Sequence, residues 1–444
     1  MGWKVLMFRD ANKLRGLART AALLACLSLC YCGAERRRAE DPRDVEGMSV
    51  TASVSEADLF DVLPDPLRTT TQTGFTPTSD RDERPMLKEH QYRSLAALLR
   101  EVYSQPPTTW PAPHIDPDAE FTELGPVPGK GVFPEDNPYS AAKAELGRML
   151  FFDGRLSGPQ QMACASCHVA DLGWADGRAR SLGHGTVQLE RNTPSLLNSG
   201  YSPTLFWDGR AKSLEALTAE VLQNTDEMHA TPDEIVERLL RLKGYREAFA
   251  KAFGDEEITF ERIIQAIATH VRTVVSEPSS DFDRFLAGKR DALSDEAVRG
   301  LHLFRTDARC VNCHNGPLLT DGRFHNLGLT YYGRKYEDLG RYRVTKDPQD
   351  VGRFKTPALR NVARTAPYMH VGFFDLEGVI NIYNAGGAEP RMREEFANDP
   401  LYPKKSHHLV PLHLNEQDKR DLLAFLHSLT ERRRRDLAPD LPKE

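Results

Sequence analysis

The sequence predicts a mainly α-helical protein: two related domains in tandem with long loops, preceded by a largely disordered arm. Three observations carry that reading. A motif of the form Cys-x-x-Cys-His occurs twice, as CASCH at 164–168 and CVNCH at 310–314. The two copies have matching surroundings, which marks an internal repeat. Strand-like runs are few, whereas segments with i, i+3, i+4 apolar spacing recur along the chain.

At 444 residues the chain has room for two or three ordinary domains. A formal net charge of −6 gives no reason to expect a nucleic-acid partner. The one basic run, ERRRRD near the C-terminus, follows a helix-like segment and reads as a solvated helix end.

Residues 1–33 read as an export segment. Lys4, Arg9, Lys13, Arg15 and Arg19 form a basic start, and AALLACLSLCYCG is an apolar stretch too short to span a bilayer. Cys26, Cys30 and Cys32 lie in it, each at the end of a Leu-x-x-Cys pattern. The expected location is therefore the periplasm, with a lipid anchor as an option. Residues 34–137 read as a disordered or extended arm with one short helix over 86–104.

The repeat follows. AELGRMLFFDGRLS, CASCH and DLGWADGR make the first copy; EAVRGLHLFRTDAR, CVNCH and PLLTDGR make the second. In each, a helix-like segment with Gly and then Leu-Phe three residues on precedes the motif, and Asp-Gly-Arg follows it. These copies define domains at 138–290 and 291–435, with a tail at 436–444. TPDEIVERLLRL carries a capping box from Thr231 to Glu234 with Pro232 in the first turn. FERIIQAIATHVRTVV and NEQDKRDLLAFLHSL have helical apolar faces.

The Cys-x-x-Cys-His spacing has a specific chemical use, the attachment of haem c. Each thiol forms a thioether to a haem vinyl group, and the adjoining histidine is held beneath the iron. Cys164, Cys167 and His168 make one such clamp; Cys310, Cys313 and His314 make the other. The rivals are a four-cysteine zinc site or disulfides. The adjoining His in both copies, the export signal and the long separation count against them. Two c-type haems make these cytochrome c-like haem domains and allow two electrons' worth of oxidation to be stored.

From about Ala142 to Thr430 the chain resembles the bacterial di-haem cytochrome c peroxidase/MauG family. LGRMLFFDGRLS, RNTPSLLNSGYSPTLFWDGRAKSLEAL, GRFKTPALRNVARTAPYMHVG and LLAFLHSLT carry the resemblance. It implies an exported oxidoreductase that reduces hydrogen peroxide at the first haem with electrons relayed through the second. The electrons come from a cytochrome c or cupredoxin donor, or from a protein substrate; a homodimer is an option. The resemblance also assigns residues. His184 falls where the peroxidases place a removable sixth ligand of the first haem; the plainer reading is a loop histidine. Trp207 matches the tryptophan between the haems, and Glu227 the distal acid that moves a proton between peroxide oxygens. Leu217 departs from the pattern, standing where the family commonly has Gln.

Tyr383 matches the second haem's distal ligand position, a Tyr in MauG and a Met in the peroxidases. Met392 is its main rival; Met369 is a further candidate, and His370 matches a packing His. Asn192 and the carbonyls of Thr365 and Pro367 match a Ca²⁺ site between the haems. The alternative function is a non-catalytic electron-transfer or redox-sensing cytochrome. Leu217 gives it weight, and Glu227 counts against it.

Overall fold

The computed structural model describes residues 84–129, 131–389, 392–432 and 436–443. The expected export segment and the arm up to residue 83 lie outside the described residues.

Helix α1 (Glu89–Tyr103) is the arm's helix, and its buried side chains Leu95, Leu99 and Tyr103 recur at four-residue spacing. Five helices follow in the first half: α2 (Ala141–Phe152), α3 (Leu214–Gln223), α4 (Pro232–Leu240), α5 (Lys243–Phe253) and α6 (Phe260–Arg272). The second half has α7 (Asp281–Leu286), α8 (Asp295–Arg305), α9 (Tyr342–Thr345), α10 (Leu376–Asn384) and α11 (Glu416–Ser428). Between α8 and α10 the strands β1 (Phe324–His325) and β2 (Phe354–Lys355) pair antiparallel, Phe324 opposite Lys355.

Most of these helices start where a short polar side chain can take an otherwise unpaired N–H. Ser140 caps α2 and Ser294 caps α8 in the same way, each accepting from the backbone N–H three residues on. The capping box at Thr231 forms, with Glu234 accepting from the Thr231 N–H at 3.0 Å.

Each half is built on one helix crossing. Helix α2 lies against α6, and α8 lies against α11. The glycine of the repeat is what lets them touch. A Cβ on Gly147 would lie 1.8 Å from the carbonyl oxygen of Ala266, and one on Gly300 would lie 1.9 Å from that of Asp421. Only Gly permits so close a backbone approach. The Leu-Phe pair three residues on fills the core beneath: Leu150 and Phe151 in the first half, Leu303 and Phe304 in the second.

The two cores are separate. The first runs from Leu146 to Val274, the second from Phe282 to Leu429. Phe282 and Phe285 of α7 already belong to the second core. The described part of the arm is packed: Tyr103, Trp110 and Leu124 join the second core. The Trp110 Nε1–H donates to the carbonyls of Gln105 at 2.8 Å and Tyr103 at 3.1 Å. Arg305 of α8, fully buried, donates to the Pro111 carbonyl at 2.8 Å and pairs with Glu123. The tail lies on the first half, where Arg155 donates to the Pro442 carbonyl at 3.1 Å.

Candidate active site

The two Cys-x-x-Cys-His segments fold alike. Each forms a single 3₁₀ turn, Cys164–Ser166 and Cys310–Asn312. In each, the His backbone N–H donates to the first Cys carbonyl, at 3.1 Å for His168 and 2.8 Å for His314. Each ring is then oriented by a backbone carbonyl. Nδ1 of His168 donates to Trp174 at 2.9 Å, and Nδ1 of His314 donates to Leu319 at 3.1 Å. A carbonyl can only accept, so Nδ1 carries the proton and Nε2 is left as the ligating nitrogen. The Asp-Gly-Arg that follows is the same turn twice. Asp176 and Asp321 each accept from the N–H two residues on, and Gly177 and Gly322 take φ of +68° and +65°.

The four cysteines are not disulfide-paired, and among the described residues they do not converge on a shared metal position. Burial pushes the thiols of Cys164 and Cys310 up to about 12. The zinc and disulfide readings fail on this geometry. The donor set fits haem. Each site offers two unpaired thiols and one tautomer-fixed imidazole, and a cavity of about 660 Å³ opens beside the second.

Around the first motif, the loop carrying His184 is fastened to the segment carrying Glu227. The His184 N–H is shared between the carbonyls of Asp226 at 2.9 Å and Glu227 at 3.1 Å. A Cβ at Gly183 would lie 1.8 Å from the Asp226 oxygen, so the glycine before His184 is required. The His184 ring stacks on His229, centroids 4.2 Å apart, and its buried Nδ1 has no hydrogen-bond partner among the described residues. Glu227 is half-buried and accepts from Asn224 Nδ2 at 3.1 Å. Burial raises its carboxyl to about 7; Arg210 opposes this, while Glu220 and Asp226 add to it. Glu227 also raises the Cys167 thiol, which sets it on the first motif's side of the molecule. The sequence offered no sign of the Asn224 and His229 contacts.

Trp207 stands at the junction of the halves. Its Nε1–H donates to the Asn192 carbonyl at 2.9 Å, and its own carbonyl accepts from Lys355 N at 2.8 Å. Its ring lies 6.3 Å from that of His370. His370 stacks on Phe354 at 3.6 Å, and burial lowers its imidazole to about 3, so it is neutral. Behind Trp207, Arg191 makes a two-bond contact with Asp338 at 2.6 and 2.9 Å and reaches Asp208 at 2.7 Å. This bridge joins residues from both halves and could not be found from spacing.

The cavity beside the second motif is lined by Cys310, Cys313, His314 and Tyr383, together with Met369 and His370. It extends to Trp207 and to Leu217 of α3. Tyr383 projects into it from α10, and its phenol is held far above the usual range by burial and by Cys313 and Cys310. Met392 is 58% exposed, which removes it from this lining. Asn192, Thr365 and Pro367 line the same cavity. The Asn192 Nδ2 donates to the Arg178 carbonyl at 2.8 Å, leaving the side-chain oxygen as its available ligand atom.

Known proteins of similar sequence and fold place the chain in a family. The sequence profile described as di-haem cytochrome c peroxidase matches residues 141–291. The cytochrome-c peroxidase IdrP1 of Denitromonas iodatirespirans is 39% identical over 342 residues, covering 70% of this chain and 88% of that one. The chain belongs to the di-haem cytochrome c peroxidase family. Membership makes it a peroxidase-type enzyme with two c-type haems. The methylamine utilization protein MauG of Methylorubrum extorquens is also 39% identical, over 313 residues covering 70% of this chain and 84% of that one. The crystal structure of a MauG-like protein associated with microbial copper homeostasis shares the fold with a TM-score of 0.62. It is 37% identical and covers 70% of this chain and 96% of that one. The di-haem peroxidase BthA of Burkholderia thailandensis gives a TM-score of 0.55 at 25% identity, covering 72% and 94%. No helix among the described residues is long and apolar enough to cross a membrane.

Proposed function

We propose that this peroxidase reduces hydrogen peroxide at its first Cys-x-x-Cys-His segment, with electrons delivered through the second from a cytochrome c, a cupredoxin or a protein substrate. The observation that carries this division is Glu227. It is a half-buried carboxyl beside the first motif, with a pKa near 7 and no cation within salt-bridge distance among the described residues.

Cys164, Cys167 and His168 hold the first haem, and Cys310, Cys313 and His314 the second. Each haem, when bound, supplies an iron that gains and loses one electron at a time. Glu227 carries the proton chemistry: its carboxylate takes the proton from one peroxide oxygen and returns it to the other. A pKa close to the working pH suits both transfers. Leu217 lines the cavity beside the second motif, and orientation of peroxide at the first falls to Glu227.

His184 is the residue that closes or opens the first site, its loop bonded through Asp226 and Glu227 to the acid it shields. Trp207 conducts between the halves, held by Asn192 on one side and Lys355 on the other. Tyr383 caps the second site; a tyrosine oxygen donor favours the oxidised metal and lowers the potential. The Asn192 side-chain oxygen and the Thr365 and Pro367 carbonyls suit a hard cation such as Ca²⁺. The basic, short apolar N-terminus supports export to the periplasm, with a lipid anchor as an option.

The test is steady-state peroxide consumption with a reduced cytochrome c or cupredoxin. Turnover that is abolished in Glu227→Gln supports the assignment. No turnover with any donor, together with an unaltered Glu227→Gln variant, returns the protein to the electron-transfer reading.

A further inference from the structure

Two turns meet outside the second motif. One is 116–119, closed by Ala119 N–H to the Asp116 carbonyl at 3.0 Å; the other is 406–409, closed by Leu409 N–H to Ser406 at 3.2 Å. Both are anchored. Asp116 N–H donates to Asn312 Oδ1 at 2.7 Å, and Asn312 lies within the CVNCH segment. Ser406 N–H donates to the Asn326 carbonyl at 2.9 Å, next to β1. The donors they carry are therefore held by the fold.

Between the turns lie Asp118, His407 and His408, with one ligand atom from each within 4.8 Å of the others. Asp118 Oδ2 and His407 Nε2 are 2.9 Å apart. Two donors each about 2.1 Å from one ion lie about 3.0–3.4 Å apart at right-angled to tetrahedral geometry, so little movement is needed to admit one. His408 adds the outer support that such sites use. Its Nδ1 donates to Asp116 Oδ2 at 2.7 Å, and Asp116 is itself paired with Arg309. A carboxylate on Nδ1 sets the ring orientation and leaves Nε2 free to ligate. Asp118 and His407 are 60% and 68% exposed, which leaves an entry path and room for water to complete the shell.

We propose that Asp118, His407 and His408 bind a divalent transition-metal ion, with Asp116 as the supporting carboxylate. Two imidazoles and one carboxylate select Zn²⁺ or Cu²⁺ over Ca²⁺ or Mg²⁺. The site borders the cavity beside the second motif, which His408 also lines, but uses none of the Cys-x-x-Cys-His residues and does not depend on the assignment of the peroxide site.

The experiment is calorimetric titration of Zn²⁺ into the tag-free di-haem protein, its haem absorption recorded throughout. The expected result is one site of micromolar affinity, weakened at least about tenfold in Asp118→Asn and in His407→Gln. Both side chains are exposed, so both variants should keep the wild-type haem spectrum. Absence of binding to the wild type, or equal stoichiometry and affinity in the wild type and both variants, overturns the proposal.

Discussion

Glu227→Gln should reduce activity and raise stability at the same time. Gln is nearly isosteric and its amide oxygen can keep the bond from Asn224, now 3.1 Å long. What it loses is the proton. Removing a positioned acid–base group typically lowers the rate by about 10²–10⁴-fold. The pH dependence fixes the sign. With a folded-state pKa of about 7, the carboxylate that must take the first proton is present above that pH, so kcat/KM in the wild type should rise through it. The variant should lack that limb. Stability runs the other way. The folded pKa lies above the ordinary value of 4.5, so the folded state binds the extra proton. Wild-type stability from this group is fully present below about pH 4.5 and is lost as pH rises through about 7. At pH 8 Gln avoids burying a charge, and should be more stable by about 1–2 kcal/mol after allowance for the solvent that reaches a half-buried group. The assays are stopped-flow peroxide turnover from pH 5.5 to 8.5 and urea unfolding of the holoprotein at pH 5.5 and 8. An unchanged rate, or a lower rate with the pH limb intact, refutes the role.

Other outcomes follow from the same geometry. Tyr383→Phe should convert the second iron from six- to five-coordinate by EPR, while Met392→Leu, on an exposed residue, should leave the spectrum unaltered. Trp207→Phe removes the bond to Asn192 and should slow oxidation of the second haem by peroxide added at the first, read by rapid-mixing absorption, with peroxide binding itself retained. Gly147→Ala and Gly300→Ala must each push a helix pair apart and should cost about 3 kcal/mol in thermal or urea unfolding. Trp110→Ala should cost about 3–5 kcal/mol by urea unfolding followed at the second haem, because Trp110 is buried in that core.

The two Cys-x-x-Cys-His segments were legible in the sequence because their chemistry is local. Two thiols and an imidazole on five consecutive residues can hold one group whatever the remainder of the chain does. The helices near them were legible for the same kind of reason. The cap at Thr231 and the apolar faces of α6 and α11 are set within a few residues. The arm was harder. Its residues 104–129 show no periodicity, and what holds them is Trp110 and Leu124 in a core assembled from residues about 200 positions away.

The contacts that give the site its character were not legible. His184 and Glu227 are 43 residues apart, joined by a backbone bond that leaves no compositional trace. Arg191, Asp208 and Asp338 are ordinary charged residues in the sequence and become a bridge only where the halves meet. The same holds for Asp118 and His407, 289 residues apart.

By itself, then, the sequence determined where two thiols and an imidazole stand together as candidate cofactor ligands, which segments become helices and that the whole is built twice, since each of these rests on covalent neighbours or on one helical turn. The tertiary structure decided that Tyr383 rather than Met392 lines the second cavity, that Glu227 sits where burial lifts its pKa, and that Trp207 is pinned between the halves. Burial, field and cavity lining arise only when distant segments exclude water together, and no short stretch of chain encodes them alone.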